Sequence, residues 1–341
     1  MITLGIETSC DETALCLLET KDNHYKVLAN IVHSQIDLHR EFGGVFPMLA
    51  KREHIKNLPI LYEKILKDSG ISEDQIDRIA VTNGPGLEPA LWTGILFAKE
   101  LGEKLNIPVI PINHMEGHIL STLISNNSPE LKLLLTPSIA LLISGGHTEI
   151  VHIEELGKYK ILGSTQDDAV GEAFDKVARM LDLPYPGGPE ISRLAEEARV
   201  ENVESKVRLP RPMIHSKDLN FSFSGLKTAV LYLLKELGDT TIEQKKDIAR
   251  EFEDAVTEVL ISKTRKALED NEAKMLIIGG GVIANKHIRE VFEKLAHDFS
   301  IPLYLPDIGL TGDNALMIAL VGTIKPLVDS KGFIAKGNLS F

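Results

Sequence analysis

Ile2-Thr-Leu-Gly-Ile-Glu-Thr-Ser-Cys-Asp-Glu-Thr-Ala-Leu-Cys-Leu-Leu18 begins as an apolar strand, crosses the polar turn Glu7 to Thr13, and returns as a second apolar strand. A matching unit begins about 135 residues later. There Pro137-Ser-Ile-Ala-Leu-Leu-Ile143 reads as a strand, Ser144-Gly-Gly-His-Thr148 as the turn, and Glu149-Ile-Val-His-Ile153 as the return. A hairpin turn rich in hydroxyls or glycines can offer backbone N–H groups to a phosphate. Two copies of the device point to an internal duplication. The plainer alternative is two unrelated hairpins.

Other segments fit an α/β plan. Arg78 to Thr82 reads as a short buried strand, followed by Asn83-Gly-Pro-Gly86 and a helix-like stretch from Leu91 to Leu105. Asp168 to Leu181 is amphipathic, with Ala169, Ala173, Val177 and Met180 on one side, and Tyr185-Pro-Gly-Gly-Pro189 is expected to stop it. Ile242 to Asp270 is a long charged helix. Lys274 to Ile278 is a strand leading into Gly279-Gly-Gly-Val-Ile-Ala-Asn285, a plausible nucleotide turn. That turn lacks both Gly-x-Gly-x-x-Gly and the Walker A Gly-Lys-Ser/Thr. Paired hairpins of this kind, facing each other across a cleft, resemble actin-like and sugar-kinase-like folds.

The chain of 341 residues suffices for one large or two medium domains. Its 43% hydrophobic and 25% charged content is ordinary for a soluble protein. No apolar run approaches the roughly 18 residues of a membrane span. The start lacks the basic and apolar regions of a signal peptide. Two cysteines, Cys10 and Cys16, give no disulfide framework. A cytoplasmic protein is expected. The net charge of −12 opposes non-specific binding to nucleic acid. Any RNA grip would need a local patch or a partner. Two patches stand out: Lys51-Arg-Glu-His-Ile-Lys56 with His39-Arg40, and Lys206, Arg208, Arg211, His215 and Lys217. Each reads first as a solvated face.

His114-Met-Glu-Gly-His118 follows the strand-like run Ile107 to Ile112. In a helix, residues i and i+4 share a face, so both imidazoles can reach one metal ion. A centre needs a further ligand, often a carboxylate, and Thr311-Gly-Asp-Asn314 offers one. A zinc protease would carry its general base directly after the first histidine. Here the glutamate is Glu116, turned roughly 100° further round the helix. The alternative to a metal pair is two unrelated surface histidines.

Taken together, the motifs resemble the tRNA adenosine threonylcarbamoyltransferase family. They are Gly5 to Thr13, Gly84-Pro-Gly-Leu87, His114 to His118, Ser144 to Thr148, Gly171-Glu-Ala-Phe-Asp-Lys176, Tyr185 to Pro189, Phe221-Ser-Phe-Ser-Gly-Leu-Lys227, Gly280 to Asn285 and Gly312-Asp-Asn314. They span nearly the whole chain. Ser34-Gln35, His39, Gly43-Gly-Val45 and Lys51 to His54 are similar to the bacterial branch.

The resemblance implies an actin-like ATPase (ASKHA) α/β fold of two lobes with a central nucleotide cleft. The lobes would be residues 1–134 and 135–308, with 309–341 returning to the first. It implies transfer of threonylcarbamoyl from threonylcarbamoyl-AMP to an adenosine amine beside the anticodon, in tRNAs reading ANN codons, with release of AMP. By motif, His114, His118 and Asp313 would bind one divalent metal per subunit, iron(II) before zinc(II). Ser144, Gly145, Gly146, His147 and Thr148 would hold the adenylate phosphate region. Asp175, Gly188 and Asn285 would hold ribose and adenine, with Ser192 where relatives often carry Asp. Asp11 and Glu12 are candidates for the base region, against a solvated acidic pair on a turn. His147 is a candidate oxyanion donor. Asp167-Asp168 reads as a helix cap. The implied partners are an inactive TsaB-like paralogue and a small TsaE-like ATPase, with no membrane.

The chain departs from the family pattern at Gly86-Leu-Glu-Pro-Ala90 and at Thr311-Gly312. Competing functions are a metalloprotease, a sugar or acetate kinase, and a non-catalytic scaffold.

Overall fold

The computed structural model describes residues 1–124, 128–201, 205–326 and 332–341. The chain divides into two compact units, Met1–Leu133 with Pro306–Phe341, and Leu134–Leu305.

The first unit contains β1 (Ile2–Glu7), β2 (Glu12–Lys21), β3 (His24–Ser34), α1 (Ile36–Arg40), α2 (Pro47–Ser69), β4 (Arg78–Gly84), α3 (Glu88–Leu105), β5 (Val109–Asn113) and α4 (His114–Ser121). Its strand order is β3-β2-β1-β4-β5. β1 pairs antiparallel with β2 and parallel with β4, so it lies between strands on both sides. Covered on both faces, β1 is apolar almost throughout, as a central strand must be. Helix α3 begins at Glu88, ahead of the expected Leu91. Pro89 lies in its first turn, where proline's missing N–H has no partner to lose. The Glu88-Pro89 departure therefore starts the helix.

The second unit contains β6 (Ser138–Ile143), β7 (Thr148–Glu155), β8 (Lys158–Ser164), α5 (Val170–Met180), α6 (Gly187–Val200), α7 (Ser224–Leu237), α8 (Ile242–Asp270), β9 (Leu276–Gly279), α9 (Lys286–Phe299) and β10 (Leu303–Tyr304). The order β10-β9-β6-β7-β8 repeats that of the first sheet, with the same parallel and antiparallel partners. The duplication read from two hairpins thus extends to whole sheets. Helix α8 has the expected bounds. Thr241 accepts from the Gln244 N–H and Gln244 returns the bond, which closes a capping box. The run Tyr185 to Pro189, expected to stop α5, begins α6 instead; α5 has already ended at Met180, and the chain turns at Leu181 and Asp182. Asp175 accepts the Gly187 N–H at 2.7 Å, satisfying one free donor at that helix start.

After the second unit the chain returns to the first with α10 (Ala315–Ile324), buried from Ala315 to Gly322. It lies against β1, where a Cβ on Gly5 would stand 2.3 Å from the Ala315 carbonyl oxygen. This contact positions Asp313, two residues before the helix begins. Among the described residues no helix is long and apolar enough to cross a membrane.

Candidate metal centre and nucleotide cavity

In the first unit, β5 ends on Asn113, whose side chain caps α4 by accepting the Met115 N–H at 2.9 Å. His114 is the first residue of that helix and His118 lies one turn on. Asn314 caps α10 in the same way, accepting from Met317. Two capped helix starts therefore bring distant segments together. His114 Nε2 lies 3.2 Å and His118 Nε2 3.3 Å from one oxygen of Asp313. One ligand atom from each residue lies within 4.8 Å of the others.

The donor set fits a cation. Both imidazoles are buried, and among the described residues neither nitrogen of His118 has a partner of hydrogen-bond geometry, Nε2 having only the Asp313 oxygen near it. A buried orphan nitrogen beside a carboxylate is costly unless something accepts its lone pair. Burial opposes charge on Asp313, but the adjacent His114 and His118 hold its carboxyl well below the usual carboxylate range. Glu116 turns away from the group, as its order in the sequence requires, and pairs with Lys325 at 2.5 Å. That removes the protease base.

Glu7 completes the arrangement and was not singled out from sequence. It is fully buried at the end of β1, and its carboxylate lies 3.1 Å from His114 Nδ1. Ser9 N–H and the Thr82 hydroxyl, each at 2.5 Å, donate to it. A carboxylate on the second imidazole nitrogen fixes ring orientation and raises ligand basicity. Its signal was a charged residue at the end of an otherwise apolar central strand. We expect Glu7→Gln to lower metal affinity by about 10–100-fold, measured by competition with a chromogenic chelator.

Asp11 is buried, so it is not a solvated pair with Glu12. Burial, then the neighbouring Asp313 and Asp11 carboxylates, push Glu12 well above the usual carboxylate range. Burial and the same acidic surroundings raise the Cys10 thiol.

The first basic patch is different from its sequence reading. His39 and His54 are fully buried rather than on a solvated face. Burial holds His54 below the ordinary imidazole range, against the raising effects of the Cys10 carbonyl and the Glu7 and Asp11 carboxylates; nearby His39 adds to the lowering. A histidine depressed in the fold contributes stability above its unfolded pKa of about 6.5, and that stability is lost as pH falls below it. The unfolding temperature should therefore fall more between about pH 6.5 and 5 in the wild type than in His54→Asn, which cannot titrate.

The second unit holds a cavity of about 540 Å³, within the range of small-molecule sites. Gly145, Asp175, Gly188, Ser192 and Asn285 line it, together with Phe174, Pro186, Arg199 and Glu253. A Cβ added to Gly145, Gly188 or Gly281 would meet no atom within 4 Å, so the backbone faces open space at three points of the wall. Asn285 caps α9 through its oxygen and donates its amide to fully buried Glu253. Arg199 bridges Glu253 and Asp254, and His287 meets Asp254 at 3.2 Å. This charged wall was missed because its members come from three separate helices.

Ser144, Gly146, His147 and Thr148 are not among the residues lining the cavity. Thr148 is buried and its hydroxyl accepts the Val170 N–H at 2.9 Å, fixing the start of α5. The Ser144 hydroxyl accepts the His147 N–H at 3.1 Å, closing the turn on itself. Asp167 does not cap α5, which starts at Val170 after Ala169. It accepts instead from the N–H groups of Phe223 and Ser224 at the start of α7, and Asp168 pairs with Lys176 and Lys227. In the second basic patch, Arg211 is tied to Glu251 and Glu258, while Arg208 and Lys217 are exposed.

The model of the family TsaD, tRNA N6-adenosine threonylcarbamoyltransferase, matches residues 26–320. A tRNA N6-adenosine threonylcarbamoyltransferase of Thermosipho africanus (strain TCF52B) is 48% identical over 322 residues, 94% of this chain and 93% of that protein. One of Burkholderia vietnamiensis (strain G4 / LMG 22486) is 46% identical over 331 residues, 95% and 92% of the two chains. The crystal structure of full-length HypF in the phosphate- and nucleotide-bound form aligns with a TM-score of 0.60 at 15% identity, over 95% of this chain and 46% of that one. That likeness concerns the fold alone, an α/β fold of the actin-like ATPase type. Two relatives matched over nearly their full lengths, with a family model covering most of the chain, settle kinship: the chain belongs to the TsaD family of tRNA N6-adenosine threonylcarbamoyltransferases.

Proposed function

We propose that the chain transfers threonylcarbamoyl from threonylcarbamoyl-AMP to the exocyclic amine of adenosine 37 in tRNAs reading ANN codons, using the two sites described. The observation that carries this reading is the convergence of His114, His118 and Asp313, backed by Glu7. Two imidazoles and one carboxylate suit iron(II), and zinc(II) next. When bound, such an ion supplies charge stabilisation for carbonyl and phosphate oxygens.

The chain's own residues do the rest. Gly145, Gly188 and Ser192 admit and hold the AMP portion, and Asp175 and Asn285 meet its ribose and adenine. The adenosine amine forms its bond to the carbamoyl carbon, Asp11 takes the amine proton, and the bond from that carbon to the phosphate oxygen breaks to free AMP. Glu12 stands beside Asp11, and burial, with the Asp313 and Asp11 carboxylates near it, makes it more reluctant to carry charge than a free carboxylate would be. His147 donates to the developing oxyanion. The acidic balance suits a cytoplasmic subunit that shares its RNA grip with an inactive paralogue and a small ATPase.

The test combines the chain, those partners, unmodified tRNA and threonylcarbamoyl-AMP, with the modified adenosine read by mass spectrometry. Modified adenosine and AMP in equal amounts are expected. AMP released without modified tRNA, from active partners, would overturn the reading.

A further inference from the structure

His39 and His54, buried in the first unit, belong to a chain of hydrogen bonds whose direction can be followed from link to link. Phe46 N–H donates to His39 Nδ1 at 3.3 Å, so His39 carries its proton on Nε2. That nitrogen donates to Gln35 Oε1 at 3.3 Å, and Gln35 Nε2 in turn donates to His54 Nδ1 at 3.3 Å. The Thr13 hydroxyl lies 2.8 Å from the same Nδ1. His54 Nε2 is left to donate to the Cys10 carbonyl at 3.0 Å, which can only accept. Gln35, His39 and His54 are all buried to within 1% exposure, so every link replaces lost water and none is idle.

The chain ends on the turn that carries Asp11. Three successive carbonyls of that turn are held from outside it: Ser9 by Leu87 N–H at 2.8 Å, Cys10 by His54, and Asp11 by Gln35 N–H at 3.0 Å. His54 is the one side chain among these three donors.

We propose that His54 is a positioning residue for the transfer reaction. It holds the Cys10 carbonyl so that the Asp11 carboxylate stands where it takes the amine proton. The proposal rests on the assignment of Asp11 as base and extends it to a fully buried residue on α2.

Two amide substitutions divide the imidazole's functions. In His54→Gln the amide nitrogen takes the place of Nε2 and keeps the bond to Cys10. In His54→Asn the amide oxygen takes the place of Nδ1 and keeps the bonds from Thr13 and Gln35, while Cys10 loses its donor. Ile65→Ala, in the fully buried core face of the same helix, controls for lost stability. All are assayed as the metal-loaded chain with its partners, per folded molecule. His54→Asn should lower kcat by ~10²-fold, leaving KM for threonylcarbamoyl-AMP within about twofold. His54→Gln and Ile65→Ala should stay within about tenfold of wild type in kcat. The double variant His54→Asn/Asp11→Asn should be no slower than Asp11→Asn alone, because both changes act through one group. Equal kcat for His54→Asn and His54→Gln would overturn the proposal and leave a structural role. So would a double variant slowed by the full product of the two single effects. A fully active Asp11→Asn would remove the base assignment itself, and the proposal with it.

Discussion

His114→Ala is expected to bind no stoichiometric metal and to lose transfer by about 10³-fold or more, with AMP binding retained. The estimate corresponds to several kcal/mol of charge stabilisation at the reacting oxygens, at about 1.4 kcal/mol per tenfold. The loss should exceed that of Glu7→Gln because a ligand is removed rather than the group that orients it. A stability cost should accompany it. Glu7 is fully buried, and among the described residues His114 is the imidazole in ion-pairing contact with it; without that ring the carboxylate keeps the Thr82 hydroxyl and Ser9 N–H as its hydrogen-bond donors. Stranding a buried charge costs about 3–5 kcal/mol, so circular dichroism must establish that the variant is folded at the assay temperature. Metal content by mass spectrometry and modified adenosine by nuclease digestion are the two readouts. Transfer at the wild-type rate by folded, metal-free His114→Ala would sink the metal assignment.

How much of this centre was legible in the sequence differs from residue to residue. His114 and His118 were legible as a pair because helical spacing is a local property, and the structure begins α4 at His114. Asp313 lies far along the chain; the need for a carboxylate ligand made it a candidate and the family resemblance assigned it, because no periodicity reaches from α4 to α10. Glu7 was visible as a polar residue in the first turn, but its role depends on which ring it faces across β1 and α4. His39 and His54 were misread for a related reason. Lys51-Arg-Glu-His-Ile-Lys56 is basic in composition, yet a helix turns each successive residue by about 100°. His54 thereby lies on the buried face with Leu58 and Leu61. The fold was more accessible. Fully apolar runs bounded by polar turns mark central strands wherever they occur, and both hairpins proved to be the middle of five-stranded sheets with one order. Element ends were less so: Pro89 and Pro186 each sit at a helix start, where proline is tolerated, although either could be read as a break.

Gly188→Leu should abolish nucleotide binding without unfolding the protein. Gly188 is the second residue of α6, and a Cβ built on it meets no atom within 4 Å. Its side chain would therefore enter the cavity rather than strain the helix. Replacing glycine in a helix also removes backbone freedom from the unfolded chain, which adds up to about 1 kcal/mol of stability. The expected pattern is an unfolding temperature equal to or above wild type with AMP affinity lowered by about 100-fold or more, equivalent to roughly 3 kcal/mol. Gly188→Ala, which adds one methyl group to the same wall, should fall between the two. Calorimetric titration of the purified chain with AMP measures the affinity directly. Metal content should stay at the wild-type level in Gly188→Leu, because His114, His118 and Asp313 belong to the other unit. AMP affinity at the wild-type value in Gly188→Leu would remove the nucleotide from this part of the cavity wall.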